Sequence, residues 1–325
     1  MNIVDMHAHP LLDRFYLARA SGDRPPIMPS LYGDCLGFDA LTKGQVKVVV
    51  SSIYPFWWPT RRSAYMDRCQ DIIRLVEAHL AEHGDKAVLV TDSDGIERAL
   101  AQSKIAFIHA VEGGHVLEGR LENLERLHQW GVRSLILTHF VNNDVAASAF
   151  DPRRKLAGGR GLTPLGREVV TAMNDLGMIV DLVHCSERAF WQAMELTHHP
   201  VMVSHTGARH FVPWERCLSD EQIKAIAKNG GVVGVVLSPV WLKRFQFVTD
   251  IRDLVDNILH VCSLVGTDHV GIASDFNGTP RLRGARTARD FPRIATCLSE
   301  AGLSDHDVAQ IMGGNFLRLF KQVVK

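Results

Sequence analysis

Two apolar runs of strand length, Met178-Ile179-Val180-Asp181-Leu182-Val183-His184 and Val201-Met202-Val203-Ser204-His205, each end in a histidine, and the residues between them suffice for one helix. In a β/α repeat, successive strands are parallel and deliver their last residues to the same end of one sheet. A third run, Asn2-Ile3-Val4-Asp5-Met6-His7-Ala8-His9, closes on a His-x-His pair. Side chains two apart on a strand share a face, so His7 and His9 can hold one ion together. Four histidines at three strand ends predict a metal site in the mouth of a barrel.

The same alternation extends along the chain. Strand-like runs lie near residues 3–7, 46–52, 105–111, 134–139, 178–184, 201–205, 232–237 and 269–274. Amphipathic stretches separate them. Met66, Cys69, Ile72, Ile73, Val76 and Leu80 fall at helical spacing, and helix starts are marked by Asp94 with Glu97, Thr163 before Pro164, and Ser219 with Gln222. No Pro/Ser/Gly-rich linker divides the 325 residues. The pattern predicts an α/β protein, a single (β/α)8 TIM barrel over residues 1–325. An open doubly wound sheet is the competing architecture, but it would not readily gather the first, third, fifth and eighth strands around one centre. Pro25, Pro26, Pro29, Pro55 and Pro59 place rim loops around residues 10–44 and 52–64. Phe56, Trp57 and Trp58 there either line a substrate pocket or pack a loop onto the barrel or a second copy.

Thirty-six basic and thirty-six acidic residues balance, so no global field favours nucleic acid or an anionic membrane. No run reaches the length of a membrane span and the chain enters a strand directly, without a secretion signal, which predicts a cytoplasmic protein. Six scattered cysteines lack C-x-x-C spacing and are expected to be reduced. Cys185 and Cys217 adjoin candidate site residues and are expected to be sensitive to oxidants. Gly158-Gly159-Arg160-Gly161 lacks the Gly-Lys-Ser/Thr of a phosphate cradle and is expected to form a mobile loop.

Further donors stand at the remaining strand ends. Glu112 follows an apolar run and precedes Gly113-Gly114; a buried carboxylate needs a cation, and two ions sharing its oxygens would satisfy it. Asp275 ends the eighth run as a ligand or as proton carrier for a metal-bound water. His139 ends the fourth. His109 and His115 flank Glu112 on another face or loop, while His79, His83, His128, His198, His199, His260 and His306 fall on helical or surface stretches and are expected to be solvated.

The order of these motifs resembles the membrane (renal) dipeptidase family of zinc peptidases, peptidase family M19 of the amidohydrolase superfamily. The resemblance is carried by Val111-Glu112-Gly113-Gly114-His115, Leu137-Thr138-His139, Gly161-Leu162-Thr163-Pro164-Leu165-Gly166, Asp181-Leu182-Val183-His184, Ser204-His205, Asp275-Phe276-Asn277-Gly278 and Gly313-Gly314-Asn315-Phe316. It implies a metal-dependent hydrolase barrel with two zinc ions. His7, His9 and Glu112 would hold one, and Glu112, His184 and His205 the other. His139 would bind substrate, Arg216 its carboxylate, and Asp275 would act as acid and base.

On that resemblance, zinc ions bridged by Glu112 and a water or hydroxide would supply hydroxide to cleave the amide of a dipeptide or similar small molecule. His139 would donate to the oxyanion. Asp5 and Asp181, two and three residues before ligands, are candidates to support them. The family's first motif is usually His-x-Asp, and the His-x-His here favours an alternative hydrolase substrate: a lactone, an N-acyl amino acid or a cyclic amide. The family's secreted members carry a signal and a lipid anchor; this chain resembles the soluble bacterial type, with a homodimer expected because relatives are often dimers.

Overall fold

The computed structural model describes residues 1–11, 35–56, 64–151, 161–244 and 249–325. Among them nine strands form one parallel sheet: β1 (Ile3–Ala8), β2 (Val46–Ile53), β3 (Ala87–Leu89), β4 (Ile105–Glu112), β5 (Val132–Ile136), β6 (Ile179–Asp181), β7 (Met202–Thr206), β8 (Val232–Val236) and β9 (Val270–Ala273). The order is β1-β2-β4-β5-β6-β7-β8-β9. β9 returns to β1 through Asp275 N–H to His7 O (2.8 Å) and His9 N–H to Phe276 O (3.1 Å). This is the (β/α)8 barrel, with helices in the connections.

β3 was not expected. Its three residues pair with Ile105, Ala106 and Phe107 of β4, before β5 takes up pairing at His109. A three-residue run has too little alternation to stand out as a strand. The expected strands at 134–139 and 178–184 also run too far, since β5 ends at Ile136 and β6 at Asp181. The terminal histidines sit in the loops that follow.

Helix formation follows local chemistry. Helix Tyr65–Glu82 buries Met66, Cys69, Ile72, Ile73, Val76 and Leu80, the stripe visible in the sequence. Thr163 Oγ1 accepts from Gly166 N–H ahead of Pro164, and Ser219 with Gln222 forms a capping box. The helix expected to start at Asp94 begins at Ser93, with Asp92 as its cap. Within the expected rim segment 10–44, residues 38–43 form a helix. Residues 12–34, with Pro25, Pro26 and Pro29, lie outside the described residues, as do 57–63 with Trp57, Trp58 and Pro59, and 158–160.

The barrel interior is filled by Val4, Met6, Val48, Val50, Ala106 and Ile108, and its foot is covered by Phe316, Leu319, Phe320 and Val323 of helix Asn315–Val323. Burying side chains of this size contributes about 1.5–3 kcal/mol each. Asn315 Nδ2 donates to Thr267 O (2.7 Å) and Val270 O (2.8 Å), tying that helix to β9. The foot is packed and the opposite mouth is left for polar side chains.

Candidate metal centre

The polar groups reach the mouth by three local devices. Along β4 the interior positions Ala106, Ile108 and Ala110 alternate regularly; Glu112 continues them. In β1, Val4 and Met6 face inward but Ala8 joins the outer core, and the register against β2 shifts between Asp5 and Ala8. That irregularity changes the phase of the strand and brings His7 into the mouth. β7 shows the same device, with a shift between Val203 and Thr206 around His205. His184 and Asp275 adopt left-handed backbone, φ 65° and 52°. Non-glycine residues there cost energy and recur where a side chain must be aimed.

Glu112 lies at the centre. Its Oε2 faces His9 Nε2 at 3.4 Å and His7 Nε2 at 3.7 Å; its Oε1 faces His184 at 3.3 Å and His205 at 3.6 Å. His7 and His9 Nε2 are 3.2 Å apart, and His184 and His205 Nε2 3.0 Å apart. Donors around a tetrahedral ion with bonds near ~2.05 Å stand about 3.3 Å from one another. Each carboxylate oxygen therefore has its own pair of imidazoles at the spacing an ion would impose. Asp275 Oδ1 stands 3.2 Å from His9 Nε2, on the first of the two groups, and His139 Nε2 3.5 Å from Glu112 Oε1, on the second.

The electrostatics fit cations. Burial, reinforced by neighbouring positive groups, holds His7, His139, His184 and His205 well below the ordinary imidazole range, leaving lone pairs free of protons. Burial would lower His9 too, but the hydrogen bond to Asp275 and the charges of Glu112 and Asp275 outweigh it and raise His9. Burial pushes Glu112 up to about 8. A carboxylate so placed ionises at neutral pH when positive charge is brought to it. The donor set therefore suits two borderline-soft divalent ions.

Around this centre, Asp5 Oδ1 accepts from Ser274 N–H (2.8 Å) and His7 N–H (3.4 Å). Asp181 Oδ1 accepts from Ser204 N–H and Val183 N–H, both at 3.1 Å. Each clamps a strand end just before Asp275 or His205. Arg216 is 4% exposed; Nη2 donates to His205 O at 2.6 Å, while Nε and Nη1 have no partner among the described residues. A buried guanidinium with two unused nitrogens is prepared for an anion.

A family model described as membrane dipeptidase (peptidase family M19) matches residues 35–325. The chain belongs to that family. It is 31% identical over 252 residues to Dipeptidase tcpJ of Claviceps purpurea, covering 77% of this chain and 59% of that protein. It is 32% identical over 237 residues to Dipeptidase 3 of Mus musculus, covering 72% and 47%. The chain thus matches only about half the length of these curated relatives. A metallo peptidase from Rhodobacter sphaeroides, solved with a phosphinate mimic of L-Ala-D-Ala, superposes with a TM-score of 0.86 at 20% identity over 99% of both chains.

Against the family's usual His-x-Asp, His9 still presents a donor to Glu112 and Asp275. One residue of this dipeptidase-family mouth went unrecognised in the sequence. Tyr54, just past β2, places its hydroxyl 2.6 Å from His139 Nδ1, a contact between residues 85 apart that no local spacing announces. Several expectations need correction. Cys185 and Cys217 are buried thiols whose ionisation burial suppresses, Cys217 to about 11, so oxidant sensitivity is not expected of them. His79 and His83 are half-buried against Phe38 rather than solvated, and His260 bonds to Asp220 (2.9 Å). His109 and His115 need no such correction: His115 is anchored to Pro55 O at 2.8 Å, and His109 shares the outer face of β4 with Phe107 and Val111. Neither joins the centre.

Proposed function

We propose that this chain is a binuclear zinc hydrolase that cleaves the amide bond of dipeptides. The observation that carries the reading is Glu112, with one oxygen on His7 and His9 and the other on His184 and His205. Zinc held there would supply an activated water and polarise the scissile carbonyl. Asp275, beside His9 at the rim, takes the proton from the attacking water and returns it to the departing amine. His139, with Nδ1 occupied by Tyr54, directs Nε2 as a donor toward the carbonyl oxygen as it gains charge. The unused Nε and Nη1 of Arg216 grip the terminal carboxylate.

The alternative substrates, a lactone, an N-acyl amino acid or a cyclic amide, are favoured by His9 standing where the family usually has aspartate. The buried, half-used guanidinium of Arg216 weighs against a lactone, which has no carboxylate to offer it. Elemental analysis paired with L-Xaa-L-Xaa and L-Xaa-D-Xaa dipeptides, lactones and N-acyl amino acids tests the reading. Two zinc ions per chain with dipeptide turnover are expected; turnover of lactones alone, or metal-free protein that remains active, would overturn it. A cytoplasmic homodimer independent of nucleic acid and membrane belongs to the same proposal, read by size-exclusion and fractionation.

A further inference from the structure

Three separate connections between strands and the elements that follow bring aromatic rings to one side of the mouth. Phe140 and Phe150 come from the segment after β5, Trp214 from the segment after β7 and Trp241 from the segment after β8. Their centroids form a continuous series: Phe140 to Phe150 5.1 Å, Phe150 to Trp241 5.6 Å, Trp241 to Trp214 5.7 Å. Phe140 is 43% and Trp214 50% exposed, two of the three exposed large apolar side chains among the described residues. Water-facing aromatics gathered from distant segments onto one surface mark a place where something apolar binds.

The two middle members of the series touch the reaction centre. Phe150 lies 5.9 Å from the His184 ring, and the Arg216 guanidinium carbon lies 5.2 Å above Trp241. The rings are also held in place. Ala149 N–H donates to His184 O (2.8 Å), Asp151 Oδ2 accepts from Asn142 N–H (3.0 Å), and Gly207 packs so closely on the carbonyl of Trp241 that a Cβ there would stand 1.9 Å from it. An apolar surface fixed before substrate arrives binds without an ordering cost.

We infer that this aromatic wall is the subsite for the C-terminal side chain of the substrate, and that the enzyme favours dipeptides ending in an aromatic or bulky aliphatic residue. The inference rests on the dipeptide reading above. The carboxylate and side chain of a C-terminal residue leave the same carbon. When Arg216 holds the carboxylate, the side chain falls within reach of Trp241, and Phe150 extends the surface toward the scissile bond. The four rings carry no charge of their own, so a charged side chain laid against them loses water without gaining a hydrogen-bond partner from them.

The test is kcat/KM for Ala-Phe, Ala-Leu, Ala-Ala and Ala-Asp on the zinc-loaded protein and on Phe150→Ala, Phe150→Leu and Trp241→Ala. Each ratio is taken on one preparation, so it does not depend on the fraction folded. We expect Ala-Phe to exceed Ala-Ala by about 10–200-fold, the range apolar pockets supply, with Ala-Asp poorest. That ratio should fall to a few-fold in Phe150→Ala and Trp241→Ala and recover in part in Phe150→Leu, with the change in KM. Wild-type ratios near one, or ratios unmoved by both alanine variants, overturn the subsite. So does self-association that Phe140→Ala and Trp214→Ala abolish while the ratios stay fixed, since a second copy would then occupy the wall. Absence of turnover on every dipeptide instead removes the functional reading beneath it.

Discussion

Gly278 offers a way to disturb the centre without touching a donor. It follows Asp275 in a turn closed by Gly278 N–H to Asp275 O (3.0 Å) and does not occupy left-handed backbone, so alanine meets no φ penalty. The obstacle is space. A Cβ would stand 2.4 Å from Asp275 Oδ1 and 2.7 Å from His9 Cδ2. Non-bonded contacts settle near ~3.5 Å, so carboxylate and imidazole must each withdraw by about 1 Å. Displacement of that size at a catalytic group costs about 100-fold in rate. Moving His9 away from Glu112 also opens one of the two donor groups. Gly278→Ala should therefore lose about 100-fold in kcat on a dipeptide, and its zinc content should fall toward one ion per chain. Gly84→Ala, whose Cβ would meet only Ala81 O at 3.5 Å, is the control. Steady-state kinetics, elemental analysis and a thermal melt on the three proteins suffice. A Gly278→Ala enzyme with wild-type kcat and full metal would show that the His9–Asp275 geometry does not matter to the reaction.

Asp275→Asn should keep its zinc but lose at least ~100-fold in kcat, the usual worth of a proton-transfer group; near wild-type turnover would remove the role assigned to it. Chelation should lower the melting temperature, because Glu112 is left buried without a cation, and zinc at 1,000 times its Kd should restore about 4 kcal/mol; a melt indifferent to chelator would count against a structural metal centre. His109, buried with both ring nitrogens lacking partners among the described residues, has its pKa lowered by burial to about 4 from 6.5. The unfolded chain therefore binds the extra proton between those values, so His109 stabilises the fold above pH 6.5 and loses that contribution as pH falls toward 4. The loss is about 2 kcal/mol by pH 5. His109→Leu should flatten the dependence of stability on pH between 7.5 and 5, and an unchanged slope in denaturant titrations would contradict this.

Much of the architecture was legible because it repeats. The helix stripe from Met66 to Leu80 and the caps at Thr163 and Ser219 are local signals, and they form as read. Glu112 could be placed by plain alternation along its strand. His7 and His205 could be recognised as donors but not aimed, since the shifts in β1 and β7 that turn them inward depend on pairing with neighbouring strands. The left-handed backbone at His184 and Asp275 runs against residue preference and has no local signature. Arg216 was visible only through the family resemblance, since a lone arginine in a loop carries no sign that it is buried. The aromatic wall joins rings separated by up to a hundred residues, and Trp57 and Trp58, the aromatics that drew notice in the sequence, lie outside the described residues.

The barrel is sealed by Asp275 on His7 and by Asp5 on Ser274, partners nearly the whole chain apart. On the ribosome, the segments bearing Glu112, His184 and His205 emerge well before residue 275, whereas His7 and His9, although made first and paired early with β2, gain their second flank only when the last strand arrives. The donors beside His9 are consequently the last to be fixed from both sides, after the pair formed by His184 and His205.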